Sequence, residues 1–134
     1  MREPTSEPSA NNTLMKDQSC KTSRWILFKA ELNNLQPITF QQKIKAEELP
    51  IIIDVRTPGE FAGGHIQNAI NIDYLASGFW EQIEVLPNSN NIFVYCRTGR
   101  RSIRACTLMK NGGFDKDKVF NLEGGYPLWL EEVG

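Results

Sequence analysis

The chain has 134 residues, 40% of them hydrophobic, and a formal net charge of −1. This length suits one domain of about 100–150 residues, and the near-neutral charge argues against a nucleic-acid-binding protein, which would carry a basic surplus. The three cysteines (Cys20, Cys96 and Cys106) and the single histidine, His65, form neither a disulfide framework nor a zinc-binding pattern. We therefore expect no metal, no cofactor and a cytoplasmic location.

The first part of the chain, residues 1–34, is predicted to be a flexible extension in front of a domain of residues 35–134. Residues 1–23 are polar and contain Pro, Ser and Asn, a composition that buries little apolar surface. Residues 24–32 are ambiguous between a short strand and a helix, and their apolar run is too short to cross a membrane. We expect no export signal, and the sequence leaves open whether Met1 or Met15 is the start.

The first regular element after the extension is a predicted helix with Thr39 as its N-cap. Gln42 stands three residues later, which is the spacing of a capping box. Phe40, Ile44 and Leu49 supply the apolar positions of this helix.

Strands and helices alternate through the remainder of the chain. The strands are predicted at residues 50–53, 69–72, 92–95 and 119–120, and the helices at residues 58–62, 79–86, 100–111 and 126–132. The Ile-rich run 50–53 is typical of a strand buried on both faces, as in a parallel sheet. This alternation predicts an α/β fold with a central, mainly parallel β-sheet flanked by helices.

Two charged segments follow predicted strands, and ligands bind at the carboxyl ends of the strands in open α/β sheets. One segment is Asp54-Val55-Arg56, and the other is the loop of residues 96–102, which we call the Cys96 loop. If both strands run parallel, the two segments meet at one edge of the sheet. This convergence predicts a functional site there.

Cys96 itself stands between a buried strand and the start of a helix. Backbone N–H groups and the positive end of the helix dipole at such a position favour the thiolate over the thiol. Arg97, Arg100 and Arg101 add positive charge to the same loop. We predict that Cys96 is a nucleophile, because three arginines and a glycine around one cysteine have no evident packing purpose.

Between residues 35 and 134 the chain resembles the rhodanese (sulfurtransferase) family. The matching pieces, in order, are Ile53-Asp54-Val55-Arg56, Glu60-Phe61, Gly64-His65-Ile66 with Ala69 and Asn71-Ile72, the Cys96 loop with Ser102, and Leu122-Glu123-Gly124-Gly125 with Trp129. The chain departs from the family at Gln67-Asn68, where Pro-Gly is common, and this changes only a turn. The resemblance implies the three-layer rhodanese-like form of the α/β fold.

The resemblance also implies a mechanism. The Cys96 thiolate would take the outer sulfur of a donor such as thiosulfate, and the resulting persulfide would pass it to cyanide, a thiol or a thioredoxin-like protein. The substrate-binding residues would be those of the loop, namely Arg97, Thr98, Gly99, Arg100, Arg101 and Ser102. Their successive N–H groups can form an anion-binding nest. No nucleic acid and no membrane is expected as a partner.

Four further residues, Asp54, Arg56, Glu60 and His65, are predicted to support the site rather than to react. Asp54 is expected to hold a loop, and Arg56 is expected to pair with Glu60, four residues away. His65 is expected to be structural, although a histidine can also shuttle protons. Cys106 lies in the middle of a predicted helix and is expected to be a small packed residue.

Two alternative functions remain open at this point. A phosphatase or arsenate reductase of this fold would need an arginine six residues after the cysteine, where this chain has Ser102; Arg101 comes one residue earlier. A non-catalytic regulatory or binding module would commonly lack the cysteine, which this chain keeps. The sequence does not identify the physiological donor and acceptor, the pathway or the oligomeric state.

Overall fold

Five parallel strands form the sheet in the computed structural model, which describes residues 30–134. The strands are β1 (Asn33–Leu35), β2 (Ile51–Asp54), β3 (Ile70–Asn71), β4 (Ile92–Tyr95) and β5 (Val119–Leu122), in the order β1-β5-β4-β2-β3. The helices are α1 (Pro37–Lys45), α2 (Pro58–Ala62), α3 (Phe79–Glu84), α4 (Arg100–Asn111) and α5 (Gly125–Glu132), and a short 3-10 helix covers Lys116–Lys118. The predicted α/β fold with a parallel sheet is confirmed.

Helices cover both faces of the sheet, which explains why the central strands are apolar except for Asp54 at the end of β2. On one face, Ile53 and Val94 pack with Met109 of α4 and Ile83 of α3. On the other face, the packed residues are Ile52, Phe93, Tyr95 and Phe120 of the sheet, Phe40 of α1 and Trp129 of α5. The result is three layers with an apolar core on each side of the sheet.

The register of the two central strands determines where the site forms. β2 and β4 pair in parallel, with Asp54 opposite Tyr95, and the Val55 N–H donates to the Tyr95 carbonyl at 3.0 Å. Cys96 and Val55 therefore leave the sheet side by side at its carboxyl edge. This is the convergence that the sequence predicts for the two charged segments.

The start of α1 differs from the prediction. The helix begins at Pro37, its N-cap Gln36 makes no side-chain capping bond, and Thr39 lies inside the helix. A proline at the first helical position needs no N–H acceptor and already has a helical φ, so the helix begins without the predicted capping box. Leu49 is not an apolar contact of this helix, because it lies beyond its end and is 82% exposed.

Strand β1 has no counterpart among the predicted strands. It lies at the edge of the sheet, parallel to β5, and the Asn33 side chain donates to the carbonyls of Lys116 and Val119 at 2.7 and 3.1 Å. The compact unit spans Leu32–Gly134. The predictions for residues 1–29 lie outside the described residues, and no helix of the described part is long and apolar enough to cross a bilayer.

Candidate active site

Cys96 directly follows β4 and is completely buried. Three residues later, Gly99 adopts a left-handed conformation (φ 95°) and is the N-cap of α4. In this position its N–H points back at the cysteine and donates a hydrogen bond of 2.9 Å to Sγ. Because residues with a Cβ resist this backbone conformation, the glycine is what allows the loop to turn an N–H toward the sulfur.

The Cys96 loop runs directly into the first turn of α4. The first intrahelical hydrogen bond runs from Ile103 N–H to the Gly99 carbonyl at 3.1 Å. The N–H groups of Arg101 and Ser102 lie in the first turn of the helix, where backbone N–H groups have no acceptor within the helix itself. The buried Ser102 hydroxyl donates to the Gly99 carbonyl at 3.1 Å. Ser102 thus braces the turn with its side chain and can offer its N–H to an anion.

The motif at residues 122–125 supports the loop from the other side. The Tyr126 N–H donates to the Cys96 carbonyl at 2.9 Å. Gly125 has φ +77°, and a Cβ on it would overlap the carbonyl groups of Arg97 and Cys96. Sequence reasoning missed this role; its only signal was the Gly124-Gly125 pair directly before a helix.

The loop arginines have different surroundings. Arg101 donates to Glu60 through both of its terminal guanidinium nitrogens, at 3.1 and 3.2 Å. Arg97 has its Nε 3.8 Å from a Glu60 oxygen and is 64% exposed. Arg100 and Thr98 are exposed on the rim of the loop.

The Glu60 side chain is also held by hydrogen bonds within its own helix. It forms a capping box with Thr57: its Oε1 accepts from the Thr57 N–H at 3.0 Å, and its own N–H donates to Thr57 Oγ1 at 3.3 Å. The hydrogen bond from Arg101, with that from Thr57, lowers the pKa of Glu60 to about 2 despite partial burial. The Thr-x-x-Glu spacing was a readable signal of this box that the sequence analysis did not use.

The predicted pair between Arg56 and Glu60 does not form. Arg56 instead binds Asp54, with its Nε 3.0 Å from both carboxylate oxygens and a terminal nitrogen 2.7 Å from Oδ2. Spacing of four residues joins side chains only within one helix, and Arg56 precedes α2. Both residues of the Asp54–Arg56 pair are buried.

The buried pair also joins the surrounding segments. Arg56 donates to the Gly64 carbonyl at 2.6 Å, and its guanidinium lies 4.5 Å from the centre of the Tyr126 ring. The Asn71 amide donates to the carbonyls of Asp54 and Arg56 at 3.0 and 2.9 Å. The Asp54–Arg56 pair therefore contacts three other parts of the chain, at Gly64, Asn71 and Tyr126.

His65 and Cys106 have structural surroundings. The exposed His65 ring stacks on Phe61 with 3.7 Å between ring centres, and its Nδ1 is 3.0 Å from the Phe61 carbonyl oxygen. Burial raises the pKa of the Cys106 thiol, and the electrostatic interaction with the neighbouring Cys96 raises it further. Cys106 thus remains a packed thiol. Within residues 30–134, no cluster of His, Cys, Asp and Glu side chains is arranged to hold a metal ion.

Comparisons with known proteins show which family the chain belongs to. A family model described as "Rhodanese-like domain" matches residues 37–132. A sulfurtransferase of Allochromatium vinosum is 29% identical over 73% of this chain and 88% of its own length. A putative sulfurtransferase of Bacillus subtilis is 32% identical over 77% of this chain and 95% of its own length. A chloroplastic thiosulfate sulfurtransferase of Arabidopsis thaliana is 42% identical over 59% of this chain and 72% of its own length.

Solved structures are similar over the same region. A rhodanese-related protein of Thermoplasma volcanium is 30% identical with a TM-score of 0.65, over 75% of this chain and 93% of that one. The polysulfide-sulfur transferase homodimer of Wolinella succinogenes shares the fold, with a TM-score of 0.71 and 23% identity over 88% of this chain and 87% of that one. The chain therefore belongs to the rhodanese-like domain family, in which it is similar to proteins that are named sulfurtransferases.

Proposed function

We propose that this protein moves sulfane sulfur from thiosulfate, or a similar small anionic donor, to a thiophilic acceptor through a persulfide on Cys96. The observation that carries the proposal is the hydrogen bond from the Gly99 N–H to Cys96 Sγ at 2.9 Å. A backbone donor aimed at this sulfur stabilises a thiolate, and preorganised donors of this kind account for much of enzymatic rate enhancement.

The reaction has two balanced steps. In the first, the Cys96 thiolate attacks the outer sulfur of thiosulfate, a new S–S bond forms, and the S–S bond of thiosulfate breaks so that sulfite leaves with the electron pair. In the second, cyanide or a thiolate attacks the terminal sulfur of the persulfide and the Cys96 thiolate leaves. Neither step requires a general base in the protein, because thiolates are intrinsically strong nucleophiles.

The first turn of α4 fits the terminal sulfur of a persulfide. This sulfur is anionic and lies in a buried region, where an anion needs hydrogen bonds. Gly99 is the N-cap of α4, and Arg101 and Ser102 belong to its first turn, which follows shortly after Cys96 in the chain. Successive N–H groups in such a turn can form a small nest for one negatively charged atom.

The positive rim of the loop fits a small anion as donor. The Arg97 side chain is 64% exposed, and Arg100 is exposed at the start of α4. A guanidinium can contact two oxygens of an anion at once. As acceptors we propose cyanide, a small thiol or a thioredoxin-like protein, and as location the cytoplasm.

The phosphatase alternative finds less support. The arginine closest to the position a phosphatase requires is Arg101, and both of its terminal nitrogens are engaged by Glu60. The alternative of a non-catalytic module finds less support because Cys96 is present and hydrogen-bonded by its own loop.

The intact mass of the purified full chain after thiosulfate treatment tests the proposal. We expect a gain of one sulfur atom, its removal by cyanide, no gain in Cys96→Ser, and an unchanged gain in Cys106→Ala. Absence of sulfur uptake by the folded protein, or uptake by Cys96→Ser, would overturn the proposal. Hydrolysis of an aryl phosphate without sulfur uptake would favour the phosphatase instead.

A further inference from the structure

The Cys96 loop contains Arg97, Arg100 and Arg101, and one carboxylate, Glu60, lies against two of them. Glu60 reaches them from α2, an element far from the loop in sequence. Its capping box with Thr57 uses Oε1, which accepts from the Thr57 N–H at 3.0 Å and from the Thr57 hydroxyl at 3.1 Å. The carboxylate is therefore fixed in position by its own helix.

The contact with Arg101 is a fixed one. Two nearly parallel hydrogen bonds of 3.1 and 3.2 Å join the two groups, and their side chains are only 21% and 28% exposed. Bidentate pairs of this kind define orientation as well as energy. Because Arg101 belongs to the first turn of α4, the pair ties that turn to α2.

The contact between Glu60 and Arg97 is longer and more exposed. The 3.8 Å between Arg97 Nε and Glu60 Oε2 is too long for a hydrogen bond. The same Oε2 already accepts from Arg101, and the Arg97 side chain is 64% exposed. Exposed pairs of this sort are weak, so an arriving anion can draw Arg97 away from Glu60.

We propose that Glu60 is a positioning residue that divides the loop arginines into two roles. Through the bidentate pair it holds Arg101 and thereby fixes the first turn of α4 beside Cys96. Through the loose contact it competes with the donor anion for Arg97. This inference rests on the proposed function, in that the anion is the sulfur donor.

Two kinds of measurement on Glu60→Gln test this division. Glutamine can still accept the capping bonds, since the capping box takes either residue, and therefore the fold should survive. The first measurement is steady-state turnover with thiosulfate and cyanide. We expect kcat to fall about tenfold, because the first turn of α4 is no longer held in place beside Cys96. KM for thiosulfate should stay the same or fall.

The second measurement is the alkylation rate of Cys96, followed on its own peptide with anionic iodoacetate and with neutral iodoacetamide. In each case the thiolate displaces iodide, so the ratio of the two rates reports the attraction for an anion and cancels changes in thiol reactivity. Glu60→Gln should raise this ratio about two- to five-fold, because the competing carboxylate is gone. Arg101→Gln should lower it, because Glu60 is then free to hold Arg97 more tightly.

Two controls complete the design. Glu84→Gln makes the same change of charge at an exposed position of α3 and should alter neither turnover nor the alkylation ratio. The double variant Glu60→Gln/Arg101→Gln should have a kcat no lower than either single variant, because both substitutions remove the same pair.

The outcomes separate this inference from the proposed function. A raised KM for thiosulfate, or an unchanged or lowered alkylation ratio in Glu60→Gln, would overturn the role of Glu60. If the unmodified protein takes up no sulfur from thiosulfate, the proposed function fails, and the alkylation ratio still decides whether Glu60 competes for Arg97. Equal loss of both alkylation rates in Glu60→Gln would indicate a merely structural residue and would also overturn the inference.

Discussion

The N–H of Tyr126 donates a hydrogen bond of 2.9 Å to the carbonyl oxygen of Cys96, so the start of α5 is tied to the residue that carries the thiol. This approach requires that nothing project from Gly125 toward the loop, where a Cβ would overlap the Arg97 and Cys96 carbonyls. The loop is therefore held between α5 on one side and the first turn of α4 on the other.

Replacement of Gly125 should disturb the loop. Gly125→Ala combines this overlap with a left-handed backbone (φ +77°), and we expect a loss of about 1–3 kcal/mol in the free energy of unfolding, together with slower sulfur uptake. Urea unfolding and intact mass measure the two effects. Gly59→Ala is the matched control, because nothing lies within 4 Å of its added Cβ and alanine favours a helix; equal losses in the two variants would contradict the close packing of Gly125.

Donor preference should follow from the exposed arginines. We predict that thiosulfate is a better donor than mercaptopyruvate and that Arg97→Gln/Arg100→Gln raises KM for thiosulfate about 10- to 100-fold, with a smaller change in kcat. As a control, Arg104→Gln removes one positive charge, where the double variant removes two, at an exposed position one turn beyond Arg100 in α4, and it should leave KM unchanged. Steady-state rates with both donors decide the matter, and a preference of the unmodified protein for mercaptopyruvate would refute the prediction.

The buried Asp54–Arg56 pair should be important for stability. Asp54→Asn leaves the Arg56 guanidinium, only 5% exposed, without its counter-charge, and breaking a buried pair from one side costs about 3–5 kcal/mol. Urea unfolding measures the loss. Asp117→Asn, at an exposed position, should change the free energy of unfolding by less than about 0.5 kcal/mol, and a similar small change for Asp54→Asn would show that the pair contributes little.

The pH dependence of stability should contain a contribution from Glu60. Its pKa is about 2 in the folded protein and 4.5 as an ordinary glutamate. Between these values the unfolded chain binds more protons than the folded one, so unfolding becomes easier as the pH falls. The contribution is complete above about pH 4.5 and disappears as the pH falls through about 2.

Urea unfolding at a series of pH values measures this contribution. The stability difference between the unmodified protein and Glu60→Gln should shrink with acidification through that window. Arg101→Gln removes the main cause of the lowered Glu60 pKa. The free energy of unfolding of this variant should therefore change less with pH over the same window. A difference that stays constant with pH would contradict the ion pair.

The sequence predicted those parts of the fold that carry a strong local pattern. The β-branched run of β2 and the apolar run of β4 indicate strands buried on both faces, and the helix predicted at residues 100–111 matches α4. β1 escaped prediction because Asn33-Asn34-Leu35 has no strand-forming composition and pairs only with distant β5. It is attached to the sheet by its backbone pairing with β5 and by the amide of Asn33, which donates to two carbonyls.

For the site, the sequence predicted where the Cys96 loop lies in the fold, but not the contacts with residues from distant parts of the chain. The position of Cys96 at the carboxyl edge of the sheet was predictable because one strand and one helix flank it. The partner of Glu60 was predicted wrongly, because Arg101 is 41 residues away and only the fold brings it near. The role of Gly125 depends on a contact with Arg97 that no local pattern encodes.

Strand β1 also determines where this chain can be shortened. An expression product that begins at residue 36 would lack the strand that now covers the outer edge of β5. The backbone N–H and C=O groups of Val119–Leu122, a fully buried strand, would then face solvent and could recruit a strand from another molecule. Shortened versions meant for crystallisation or labelling should therefore retain Asn33, since otherwise loss of solubility would be mistaken for loss of activity.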